Sequence, residues 1–143
     1  MDRSGIVRIT AGFLLSFAVA GAAVAGDARP DPAYKAEKER IDRDYEVAEE
    51  RCDSYDDNAK DICQAEAKGA KEVAKAELEV KYAPSPETRY RARIAKAEAD
   101  YRVAKEKCDD SAGNAKDVCL KEAKAAEAAA KAEAKKGETG TSE

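Results

Sequence analysis

The sequence contains no histidine, and its few large hydrophobic residues are unevenly placed. Without histidine there is no imidazole to act as base for a serine or cysteine nucleophile, and the commonest zinc ligand is missing. No glycine-rich phosphate loop and no G-x-S-x-G elbow occurs. The only methionine and both phenylalanines, Phe13 and Phe17, fall in the first 25 residues. Beyond them the apolar inventory is six tyrosines, ten Ile, Leu and Val residues, and 26 alanines. So small a stock of large side chains excludes a sizeable globular core and, taken alone, borders on the composition of disordered chains. Ala, Lys, Glu and Arg, the strongest helix formers, fill the sequence instead. They predict long, thin helices with little tertiary burial.

The N-terminus reads as an export signal. Arg3 and Arg8 make a basic start, Ala11 to Ala20 an apolar stretch, and Ala23-Val24-Ala25 a small-residue cleavage site, so residues 1–25 are expected to be removed. The apolar run is shorter than the roughly 20 residues of a membrane span. No second one follows, so no stable membrane insertion is expected after cleavage. Export to the periplasm or the medium places the thiols in oxidising surroundings. The remaining chain carries 24 Lys and Arg against 29 Asp and Glu, a net charge of −5. That balance argues against nucleic acid as a partner, which calls for a clustered basic face. The Lys-rich stretch from Lys121 to Lys136 is interleaved with Glu122, Glu127 and Glu133 and reads as a solvated helix face.

The chain contains one helical hairpin twice. Asp44 to Lys68 aligns without a gap on Asp100 to Lys124 at an offset of 56 residues. Repeat 1 is assigned to residues 30–83, repeat 2 to 84–136, and a tail without periodicity, expected to be disordered, to 137–143. Asp31 followed by Pro32 opens the first repeat and Ser85 followed by Pro86 the second, each pairing an N-cap residue with a proline suited to the first helical position. Pro84 and Pro86 break the helix between the copies. Tyr90, Ile94, Ala97, Tyr101, Ala104 and Cys108 form one helical stripe; Tyr34, Ile41, Tyr45, Ala48 and Cys52 form its counterpart. The first helix is expected to end near Tyr55, and Asn58 and Asn114 to cap the second helix of each hairpin. The facing stripes are Cys63, Ala67, Ala70, Ala74 and Leu78, and Cys119, Ala123, Ala126, Ala130 and Ala134. Tyr45 and Tyr101 take equivalent inward positions and stand as the seam, or interaction, residues. Favourable i, i+4 pairs are expected for Glu39 with Arg43, Glu77 with Lys81, Glu98 with Arg102, and Glu127 with Lys131.

Four cysteines allow three pairings. The duplication favours Cys52 with Cys63 and Cys108 with Cys119, because each repeat then stands as a complete unit. A redox enzyme would show C-x-x-C rather than C-x10-C, and a structural zinc site would draw on histidine or free thiolates. Asp53, Asp56, Asp57 and Asp61 crowd the first turn, but neither loop has the calcium pattern, and Ala112 and Gly113 replace two of the four carboxylates in the second copy. Neither a metal nor any other cofactor is expected, and no catalytic residue is assigned.

The stretch from Ala104 to Lys135 (AKEKCDDSAGNAKDVCLKEAKAAEAAAKAEAK) resembles a group of small exported proteobacterial proteins. They carry this cysteine-bracketed GNAKDxC motif, usually in duplicate, and their function is uncharacterised. Some are labelled TolA-like envelope proteins, and the Ala/Lys/Glu run here is similar to the long periplasmic helical region of TolA. The chain is expected to depart from TolA in lacking a retained N-terminal anchor and a C-terminal globular domain. The resemblance implies the cell envelope as compartment rather than an activity. The expectation is an all-α protein of two tandem disulfide-pinned antiparallel helical hairpins, docked as an elongated four-helix arrangement or strung on the linker. Its expected role is structural or protein-interacting, through an envelope protein or self-association. The alternative is an envelope-stress or ion-buffering protein that binds cations through its surface carboxylates.

Overall fold

The computed structural model describes residues 31–139; the export segment expected over residues 1–25 lies outside them. Four helices follow one another: α1 Pro32–Cys52, α2 Asp57–Tyr82, α3 Pro86–Cys108 and α4 Gly113–Thr139. The fold is all-α, with tandem antiparallel hairpins α1/α2 and α3/α4. Helix α4 runs three residues beyond the expected boundary at Lys136.

Both odd helices start where the sequence places them. Asp31 Oδ1 accepts the Ala33 N–H at 2.8 Å, and Pro32 takes the first helical position, where its missing donor costs nothing. Ser85 and Thr88 form a reciprocal capping box in which each hydroxyl accepts the other's backbone N–H, at 3.0 and 2.9 Å. The even helices depart from expectation. Asn58 and Asn114 are not caps; each lies in the first turn of a helix that starts one residue earlier. The starting residues, Asp57 and Gly113, have φ of 49° and 55°. Glycine adopts that conformation freely, whereas an L side chain such as that of Asp57 does so at a cost.

Each helix packs only on its neighbours in the chain, so the two hairpins dock side by side as a single layer, α1-α2-α3-α4, rather than as a closed bundle. The buried apolar residues are mostly alanines; Ile41 and Leu78 are the large aliphatic members. Alanine removes little area from water at roughly 25 cal/mol per Å², and the fold compensates by close approach. At the centre of the α2·α3 contact, a Cβ added to Gly69 would stand 2.9 Å from that of Ala99. Ala65 and Ala99 are buried in the same contact region. Around it, Arg102 pairs with Glu72 at 2.9 Å and Lys107 with Glu66 at 3.6 Å. Asn58 donates across the hairpin boundary to the Glu106 carbonyl at 3.0 Å and to Asp110 Oδ1 at 2.6 Å.

Of the four expected i, i+4 ion pairs, only Glu127–Lys131 forms, at 2.9 Å. Lys81 turns to Glu37, Arg102 to Glu72, and Lys131 also reaches Glu98. Glu39 is taken by Lys35 instead of Arg43. In an antiparallel layer the neighbouring helix brings opposite charge within reach, and the intrahelical partner loses its ion.

Gly69→Ala tests the close approach. Helix propensity alone would stabilise by about 1 kcal/mol. The methyl, however, meets a backbone-anchored Cβ that can yield only if α2 and α3 move apart, at about 1–3 kcal/mol. Thermal melts are expected to show a net loss of stability; a gain would mean that the two helices separate freely.

Candidate interaction surface

The cysteines end each hairpin at the same level. Cys52 is the last residue of α1, and its Cα lies 5.5 Å from that of Cys63 in the second turn of α2; the Cys108–Cys119 distance is 5.6 Å. Both distances are those of an ordinary disulfide, and both bonds are formed. Cys52 and Cys108 are fully buried. All four cysteines are therefore structural, and no free thiol is present.

Tyr45 and Tyr101 do not sit at the centre of a buried seam; both are half-buried. Each lines a shallow groove between its two helices, about 240 Å³ in hairpin 1 and about 200 Å³ in hairpin 2. Apart from Arg40, the residues lining the grooves correspond position by position through the 56-residue offset. The charges beside the tyrosines correspond only in part. In hairpin 1, Asp42 lies between Lys75 at 2.7 Å and Lys71 at 3.6 Å, and the Lys71 ammonium stands 3.9 Å over the Tyr45 ring. Contact with Lys75 first, and the field of both ammoniums, holds the Asp42 carboxyl below its usual range. In hairpin 2, Glu98 and Lys131 keep the signs of Asp42 and Lys75, and only the counterpart of Lys71 is reversed. Lys131 lies between Glu98 at 2.8 Å and Glu127 at 2.9 Å, which raise its pKa, and Glu127 occupies the place of Lys71.

The open ends differ as well. In hairpin 1, Tyr34 and Tyr82 meet edge to face at 5.4 Å, and Glu37 accepts from Tyr82 at 2.8 Å and from Lys81. In hairpin 2, Arg93 donates to the Ala134 carbonyl at 3.0 Å and so ties down the end of α4. The asymmetry extends to whole hairpins. Residues 31–83 carry ten Lys and Arg against sixteen Asp and Glu, a net of −6; residues 84–139 carry thirteen against eleven, a net of +2.

Among the described residues no cluster of His, Cys, Asp or Glu could hold a metal ion, and no helix is long and apolar enough to cross a membrane. No protein-family model, curated protein or solved structure matches this chain. Val47 is 48% exposed and Val118 44%, both on the outer helices, α1 and α4. Sequence reasoning missed the bridging role of Asn58. It also missed Gly69, whose signal was present: a lone glycine amid strong helix formers marks a close backbone approach.

Two outcomes check this description. Each disulfide closes a loop of about a dozen residues and contributes slightly under ~3 kcal/mol. Reduction of both is expected to lower the melting temperature by roughly 20 °C or more; an unchanged melt would show that the helices need no cross-link. The Glu37 clasp sets a pH dependence. Its hydrogen bond to Tyr82, with burial adding to it, pushes the phenol up to about 12, while Lys81 and then Tyr82 hold the Glu37 carboxyl below its usual range. The tyrosine contribution is complete below the unfolded value of about 10 and is lost as pH rises through about 12. The carboxylate contribution is present above the ordinary Glu range and is lost as pH falls. Tyr34 and Tyr45 are also raised, by their hydrogen bonds to Glu79 and Glu49, so ultraviolet titration is expected to show several late-ionising tyrosines, of which Tyr82 alone returns towards its ordinary value in Glu37→Gln; a titration unaltered by that substitution would refute the clasp.

Proposed function

We propose that the protein is an exported, non-enzymatic structural or protein-interaction component of the bacterial cell envelope, acting in the periplasm. Its rigid, charged, alanine-rich helices are presented to a protein partner. The observation that carries this reading is the single helical layer. A closed bundle hides the inward face of every helix, whereas here each helix keeps surface open above and below the layer, and α1 and α4 keep their outer sides as well. Two disulfides suit a non-reducing compartment outside the cytoplasm, and the cross-links give the layer a fixed shape at little cost in core. Helices held in place lose little conformational freedom on binding.

Photo-cross-linking in living cells from a probe at Tyr101, which lines the α3/α4 groove, tests the proposal. Adducts with a discrete envelope protein, or between copies of the chain, are the expected result. Absence of any adduct from Tyr101 and from a second probe at Val47 would overturn it.

A further inference from the structure

The contact that joins the hairpins can be repeated between molecules. Because the halves are related by the 56-residue offset, α4 carries the counterpart of the α2 face that docks on α3, and α1 carries the counterpart of the α3 face that receives it. Both counterpart faces lie on the outer edges of the layer, with no further helix against them. We propose that copies of this chain add head to tail, the α4 edge of one on the α1 edge of the next, in the geometry of the α2·α3 contact. This rests on the structural and interaction reading above and names the partner as a second copy.

Charge complementarity supports it. In the α2·α3 contact, Ala65 and Lys68 lie beside Arg102 and Glu106. Their counterparts are Lys121 and Lys124 on the α4 edge and Glu46 and Glu50 on the α1 edge, so two exposed cations face two exposed anions. None of these four side chains has an ion-pair partner among the described residues. The Glu66–Lys107 pair of the internal contact becomes Glu122 with Arg51, opposite in sign and likewise unpartnered. Asn58, which bridges to the Glu106 carbonyl and to Asp110, becomes Asn114, placed to reach the Glu50 carbonyl and Ser54. Glu50 also lies in the last turn of α1, at its negative C-terminal end, where a carboxylate is locally unfavourable; a cationic edge across from it removes that cost.

The close-packed centre and the Glu72–Arg102 pair, whose counterparts are Ala128 and Glu46, are not repeated. Gly69 against Ala99 becomes Ala125 against Arg43, so the copies cannot approach as closely as the hairpins do. The intermolecular contact is accordingly weaker, reversible and salt-dependent. A heterologous contact of this kind leaves one free edge of each sort at the ends and extends as an open row.

Sedimentation of the oxidised chain decides the matter. The weight-average mass of the wild type is expected to rise with concentration at low salt and fall with added salt. E46K/E50K makes both edges basic and K121E/K124E makes both acidic; each alone is expected to associate at least tenfold more weakly, while an equimolar mixture recovers association. Arg43→Ala, which removes the obstructing side chain, is expected to tighten association and gives a readout independent of charge reversal. A wild type that stays monomeric at all concentrations, or a mixture of folded variants no heavier than its components, would overturn head-to-tail assembly. If the chain is monomeric yet Tyr101 still yields a discrete envelope adduct, assembly fails and the interaction reading stands.

Discussion

A covalent bond at the turn of each hairpin is the constraint on which the rest of this protein depends. Alanine-lined helices gain little from burial, and a two-helix unit with so few large side chains has a small margin against the entropy of its chain. The disulfides remove part of that entropy from the unfolded state. They also fix the level at which the paired helices face each other, which brings Asp42 within reach of Lys71 and Lys75 and Lys131 within reach of Glu98 and Glu127. With the hairpins prealigned, a contact as narrow as Gly69 on Ala99 suffices to join them.

The two copies have kept the scaffold and changed some of its charges. Cysteines, Tyr34 and Tyr45 with Tyr90 and Tyr101, and groove-lining alanines correspond, while Lys71 has its counterpart in Glu127 and Arg102 in Glu46. The consequence is a molecule that is acidic on one side and basic on the other, with −6 on one hairpin and +2 on the next. Uniform repeats would have made the two hairpins interchangeable; these give the layer a direction. A field of that form orients an approaching charged partner before contact.

Much of this architecture can be read from the chain. The aligned C-x10-C pairs indicate the hairpins and their disulfides, because similar depth from a turn is a local property of two helices. Asp31 and Ser85 mark helix starts because the capping hydrogen bonds reach only two or three residues. What depends on a third helix is harder to see. Asn58 has the chemistry of a cap, yet its amide is claimed by Glu106 and Asp110 in the other hairpin. Ion pairs fail as sequence predictions for the same reason: Arg102 has Glu98 one turn away and Glu72 on the facing helix, and it takes the latter. Tyr45 and Tyr101 line the grooves between paired helices, where a layer open on both faces leaves them half-covered.

The disulfides sit at one end of the layer only, and this gives the protein an uneven response to tension. The first and last described residues both emerge at the opposite end, because four helices alternate in direction. A load applied there peels helices from their open ends towards the sulfur bridges, breaking side-chain contacts one turn at a time. Only the segments 53–62 and 109–118, between bonded cysteines, are withheld from extension. Under such a load the two covalent corners, Cys52–Cys63 and Cys108–Cys119, hold each hairpin together at its turn.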